Sequence, residues 1–252
     1  MKPLLRWLGL VFAAGLALQI FFAARIGLMA VVDPQSSAFE RSEAWRLANS
    51  GKPLRWRQQW VAYDDLSDHL KRAVISSEDD GFLFHDGVEW DAIEKAWLKN
   101  SKAESRAENQ TQSRAAAPSQ AKKPVQPKPP KVVGGSTITQ QLAKNLFLSG
   151  ERTLLRKGQE FVLTTLLELL LSKERILEIY LNHVEWGEGV FGAEAAAQVY
   201  FKKSAARLTP LEAARLAVML PRPKYFEKLP NSPYLQSRAA TIAARMNSAE
   251  LP

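Results

Sequence analysis

The 252-residue chain contains no cysteine, which excludes disulfide bonds and cysteine-ligated metal sites but leaves the compartment open. Charge is absent from residues 7–24, "WLGLVFAAGLALQIFFAA", where Gln19 is the one strongly polar side chain. As a helix that run would be about 27 Å long, enough for a bilayer core, and Ile26 to Val32 can extend it. Lys2 and Arg6 precede it, which places the N-terminus in the cytoplasm and the remainder outside. A cleaved signal peptide is the rival reading, since "FFAAR" offers small residues. The apolar run is longer than the usual stretch of about 7–15 residues, so an uncleaved anchor is expected.

Aromatic residues are missing from "SKAESRAENQTQSRAAAPSQAKKPVQPKPPK". Such a composition buries too little apolar surface to offset its chain entropy, so a disordered Lys/Pro/Ala-rich insert is expected at 101–133. Its basic residues, with Lys2, Arg6 and Arg25, account for the net charge of +8. What remains is neutral, so no evenly basic surface and no nucleic-acid partner is implied. Strand alternation is scarce. Helical periodicity marks Phe39–Leu47, a run from Ser67, Val88–Lys99, Leu154–Val184, Val190–Tyr200 and Pro210–Met219, with Ser136 and Thr209 as caps. The body is therefore mainly α-helical, with little or no sheet. The organisation reads as cytoplasmic residues 1–6, anchor 7–32, connector 33–66, body 67–232 and a C-terminal helix or tail at 233–252.

Three constellations carry chemistry. "VISSEDDGFLFHDGVEW" sets Glu78, Asp79 and Asp80 beside Phe82, Phe84, His85 and Trp90. Acids clustered among aromatics repel one another and resist ionisation. In "GGSTITQQLAKNLFL", Thr137, Gln141 and Lys144 fall at i, i+4 and i+7 on one helical face. A hydroxyl, an amide and an ammonium there suit a phosphate or sugar, or equally a solvated face. In "RTLLRKGQE", Arg156 and Glu160 can pair four residues apart, as many surface pairs do. Gly187, Gly189 and Gly192 suit tight turns. A Gly-rich nucleotide loop is not expected, because no strand pattern is read before these glycines and no GK[ST] follows.

In their order these stretches resemble the motifs of the peptidoglycan glycosyltransferases, glycosyltransferase family 51. The matching residues are Glu78-Asp79-x-x-Phe82-x-x-His85-x-Gly87, Gly135-Ser136-Thr137-Ile138-Thr139-Gln140-Gln141-x-x-Lys144-Asn145, Arg156-Lys157-x-x-Glu160, Ile176-Leu177-x-x-Tyr180-Leu181-Asn182 and "GVFGAEAAAQVYF". The resemblance covers about residues 70 to 230. It implies a lysozyme-like, two-lobed helical domain. The family also occurs fused to a transpeptidase domain, for which residues after "LPRPKYFEKLP" leave no room, so the single-domain form is expected. Ser119-Gln120-Ala121-Lys122 matches S-x-x-K by chance, since no K-T-G follows. Where the family carries glycine in "YFGK", this chain has Lys202.

The resemblance further implies polymerisation of lipid II into a β-1,4 glycan with loss of undecaprenyl pyrophosphate and inversion at the sugar. Glu78 would be the general base and Glu160 the second carboxylate. Asp79, Thr137, Gln141, Lys144, Asn145, Arg156 and Lys157 would bind substrate, although for Lys157 a plain surface charge stays open. His85 and Gly87 would shape their loop and Asn182 would tie helices. No cofactor is required; magnesium or manganese could be held on the pyrophosphate through Glu160. Expected partners are lipid II, the nascent strand, the membrane, and cell-division or elongation proteins, with the catalytic body on the periplasmic side of a bacterial inner membrane. The alternatives are a lysozyme-like glycan-cleaving enzyme, which has no need of a Lys/Arg cluster, and a catalytically idle membrane adaptor.

Overall fold

A computed structural model describes residues 2–51, 53, 55–90, 136–148, 150 and 153–252. The chain divides into two compact units, Met1–Gly87 with Thr137–Pro252, and Val88–Ser136. Everything below belongs to the first. The expected helix at Val88–Lys99, beyond Trp90, and the insert at 101–133 lie outside the described residues.

The apolar N-terminal run forms α1 (Lys2–Leu28), long and apolar enough to cross a membrane. Residues 3–18 are exposed, whereas Gln19, Phe22, Ala23, Ile26 and Met29 form a stripe turned toward the protein. That i, i+3, i+4, i+7 spacing is one face of a helix. Next come α2 (Ala38–Ala48), α3 (Asp68–Glu78), α4 (Ile138–Phe147), α5 (Leu154–Leu170) and α6 (Lys173–His183). They are followed by α7 (Ala193–Phe201), α8 (Pro210–Met219), α9 (Pro223–Phe226) and α10 (Pro233–Arg245).

The fold is mainly helical, as expected, with local corrections. The run from Leu154 to Val184 is two helices, broken where Ser172 caps α6 by accepting from the Arg175 N–H. Val190–Phe191, expected to be helical, is instead the middle strand of a small sheet. That strand, β3, pairs parallel with Arg57–Gln58 (β1) and antiparallel with Glu185–Gly187 (β2). Gly192 enters α7 with a φ of +82°, and a Cβ there would sit 2.8 Å from the Asn182 carbonyl oxygen. Lys202, which stands where the family carries glycine, ends α7 in the left-handed region at φ 59°, ψ 33°.

The core is built where α3, α8 and α10 meet. Leu70, Ala73 and Val74 face Ala213, Leu216 and Ala217, with Leu235, Ala239 and Ile242 alongside. Small alanines let helix axes approach closely, and each large apolar side chain withdrawn from water is worth about 1.5–3 kcal/mol. Trp186 is fully buried and donates its indole N–H to the Leu216 carbonyl at 3.0 Å. In the stretch read as a C-terminal helix or tail, α10 thus packs its apolar side chains into this core. Asn182 joins connector to body, accepting from the Val61 N–H and donating to the Val61 carbonyl, each at 2.9 Å.

Candidate active site

Glu78 is the last residue of α3, half-buried at its C-terminal end. The Gln141 side-chain N–H donates to Glu78 Oε2 at 3.0 Å, and the Tyr180 hydroxyl donates to Gln141 Oε1 at 3.0 Å. Tyr180 is 1 % exposed. Its hydroxyl therefore fixes which end of the amide faces the carboxylate. Burial pushes the Glu78 carboxyl above its ordinary value, bonds from Gln141 and Ser77 oppose that, and the Asp79 charge adds to it. A carboxylate raised in this way is a better proton acceptor than an exposed one. Burial, then Glu78 and Asp79, raise the Tyr180 phenol well above its usual value, so it stays a neutral donor.

Asp79 and Thr137, expected to touch substrate, are committed within the protein. Asp79 is 4 % exposed; its Oδ2 accepts from the Ile138 N–H at 2.9 Å and its Oδ1 lies 2.8 Å from His85 Nε2. A carboxylate on the first amide of α4 satisfies a donor that no helix can satisfy internally. Thr137, and not the expected Ser136, is the N-cap of α4, in a capping box with Gln140. Its hydroxyl also donates to the Gly87 carbonyl at 2.7 Å. Gly87 has a φ of +80°, and a Cβ there would fall 2.6 Å from Thr164 Cγ2, so loop shape rests on this glycine. His85 and Gly87 thus both take part in holding the loop's shape.

Lys144 is exposed on α4, and Asn145 half-buried beside it. One turn into α5, Arg156 Nη1 donates to Glu160 Oε2 at 3.0 Å and Lys157 Nζ pairs with Glu160 Oε1. Glu160 is 4 % exposed. Crowding by surrounding protein lowers the Lys144 ammonium from the ordinary lysine value; Glu160 opposes this, while Arg156 and Lys157 reinforce it. Lys144, Arg156, Lys157 and Glu160 therefore form one electrostatic cluster with an excess of positive charge. Arg156 Nε is buried with no hydrogen-bond partner among the described residues. Both Glu160 oxygens are engaged by cations, and the described residues hold no group of three or more His, Asp or Glu able to bind a metal.

Sequence reasoning missed the second tier of the site. Tyr180 stood in a recognised motif, but its partner Gln141 lies 39 positions away. Glu168 accepts from the Thr139 hydroxyl at 2.6 Å and from Lys173 Nζ at 2.9 Å, while Lys173 also donates to the His85 carbonyl at 2.6 Å. These bonds join α4, α5 and α6 to the loop after Glu78. The only hint was the charge of Glu168 and Lys173 in an otherwise apolar run. A separate cavity of about 510 Å³, lined by Arg55, Trp56, Arg57, Glu188, Val199 and Lys202 among others, shares none of the residues of this site.

A family model described as "Transglycosylase" matches residues 48–111 and 119–247. Proteins named biosynthetic peptidoglycan transglycosylase align over nearly the whole chain. That of Burkholderia thailandensis is 53% identical over 98% of this chain and 88% of its own length. Those of Burkholderia pseudomallei and Paraburkholderia xenovorans are 52% and 50% identical over 98% of this chain, and over 88% and 94% of their own lengths.

Proposed function

The chain belongs to the transglycosylase family and is a peptidoglycan glycosyltransferase, and from that premise we propose that it polymerises lipid II with Glu78 as general base. The observation that carries this reading is the half-buried Glu78 carboxylate, aimed by the Tyr180–Gln141 relay and raised in pKa by burial. The acceptor 4-hydroxyl is a poor nucleophile. As its oxygen bonds to C1 of the donor, its proton passes to Glu78 and the C1–O bond to pyrophosphate breaks, the electron pair leaving with the pyrophosphate. Attack from the face opposite the leaving group converts an α-linked donor into a β-linked product without a covalent glycosyl-enzyme.

Charge then builds on the departing phosphate oxygens. Lys144, Arg156 and Lys157 are set to neutralise it, with the unpaired Arg156 Nε as an additional donor. Glu160 orients Arg156 and Lys157, and no step is routed through a metal. Asn145 completes the polar surface of α4. Asp79 and Thr137 act by position: they hold the Glu78 loop against the start of α4. In this reading α1 is the anchor of a bacterial inner-membrane protein, with its N-terminus cytoplasmic and its catalytic body periplasmic. Its partners are lipid II, the nascent strand and cell-wall synthesis proteins.

Incubation of the purified protein with labelled lipid II tests the reading. The wild type is expected to yield glycan strands and Glu78→Gln to lose at least about 100-fold, the scale of a lost general base. Lys144→Ala and Arg156→Ala should each impair turnover. Full activity in Glu78→Gln would reassign the base.

A further inference from the structure

The one strongly polar side chain of the apolar N-terminal run does not face lipid. Gln19 Nε2 donates to Gln159 Oε1 at 3.0 Å, and Gln159 Nε2 donates back to Gln19 Oε1 at 3.2 Å. Gln19 stands nine residues before the end of α1 at Leu28, which puts it about 14 Å along the helix from that end. It is also the first residue of the protein-facing stripe, and so the deepest contact between anchor and body. One turn later the Phe22 ring meets Phe147 edge-on at 5.5 Å, and the Arg25 guanidinium lies 5.3 Å from the same ring.

The two helix ends that α1 touches are the ones that carry the cationic cluster. Phe147 closes α4, one turn beyond Lys144. Gln159 follows Arg156 by one turn of α5 and immediately precedes Glu160. The start of α5 also exposes apolar side chains that water disfavours: Leu154 is 93 % and Leu155 88 % exposed. In hydrocarbon an amide has no water to fall back on, so a two-way amide pair is favoured over two unpaired amides.

We propose that the Gln19–Gln159 pair is a clasp within the membrane that fixes the rotation and depth of α5 against α1, making both glutamines positioning residues for Arg156 and Glu160. This rests on reading the chain as an anchored lipid II polymerase. The clasp acts on the step in which charge leaves with the pyrophosphate, so its loss should lower kcat and leave KM for lipid II almost unchanged. It also makes the anchor part of the catalytic architecture and not a tether alone.

The test uses the full-length protein in proteoliposomes. If the wild type makes no glycan from labelled lipid II, the underlying reading fails whatever the clasp does. If it does, Gln19→Met and Gln159→Met, which keep side-chain length but remove the amide, should each lose about fivefold in kcat, the scale of one interhelical hydrogen bond in lipid. KM should stay within about twofold and, because each amide acts through the other, the double variant should be no slower than the slower single. Wild-type kcat in the single variants, or losses that multiply in the double, would overturn the proposal.

Proximity has its own readout, because the chain has no native cysteine. A short bismaleimide should cross-link Gln19→Cys with Gln159→Cys in the bilayer, and should not cross-link Phe12→Cys with Gln159→Cys, two helical turns away on α1. Failure of the first pair, or equal reaction of both, would show that α5 does not sit against Gln19.

Discussion

Glu78 is controlled by neighbours that spend hydrogen bonds on it. The Gln141 amide lowers its pKa while burial and Asp79 raise it, and burial is the largest of these effects. The sign of a substitution at Gln141 follows. Gln141→Leu removes a bond to the ionised form, so Glu78 should hold its proton to higher pH and the acid limb of kcat/KM on lipid II should move upward. Tyr180→Phe leaves the amide but loses its orientation, so it should shift the limb in the same direction by less. A limb that stays in place in Gln141→Leu would mean that Glu78 is not the group titrating. At this scale Glu78, Gln141, Lys144, Arg156 and Glu160 were legible, because their residue types and spacing match a pattern of motifs. Tyr180 as the orienting hydroxyl was not, since a contact across 39 positions leaves no local trace.

Helix ends hold the site together, and caps were only partly readable. Thr209 before α8 was read correctly, with Glu212 returning to its N–H at 2.9 Å. Ser136 and its neighbour Thr137 are both good caps, and sequence does not fix where the first turn closes. Nothing local showed that Asp79 would receive the first amide of α4 from 59 positions away. Asp79→Leu strips an acceptor from both the Ile138 N–H and His85 and should cost about 2 kcal/mol or more by denaturant unfolding. Asp79→Asn keeps one acceptor and should cost less. An Asp79→Leu protein as stable as wild type, yet inactive, would instead restore Asp79 as a group that meets substrate. The strand at Val190–Phe191 was illegible for a related reason: two residues of pairing carry no periodicity, and the partners at Arg57–Gln58 are remote.

Across the whole molecule, charges tie distant segments together, and one of them makes stability depend on pH. Lys224 on α9 reaches Glu43 of α2 at 2.6 Å and Glu185 of β2 at 3.2 Å, while Arg46 holds Glu43 at 2.8 Å. Glu43 takes the shorter of the two Lys224 contacts, and Glu185 the longer. Burial raises the Glu185 carboxyl to about 7, with Lys224 pulling the other way. In the unfolded chain the same group titrates near its ordinary value of 4.5. Between those two values the folded protein binds more protons than the unfolded one, so stability must fall as pH rises through the interval. This contribution is fully present below about 4.5 and lost as pH passes 7. Glu185→Gln keeps the shape, removes the titration and leaves Lys224 its bond to Glu43. Its unfolding free energy should therefore be flatter than wild type from pH 5 to 8, and above pH 7 the variant should be the more stable protein. Parallel pH profiles for the two would show that Glu185 is ionised throughout, and that the Lys224 ammonium compensates its burial in full.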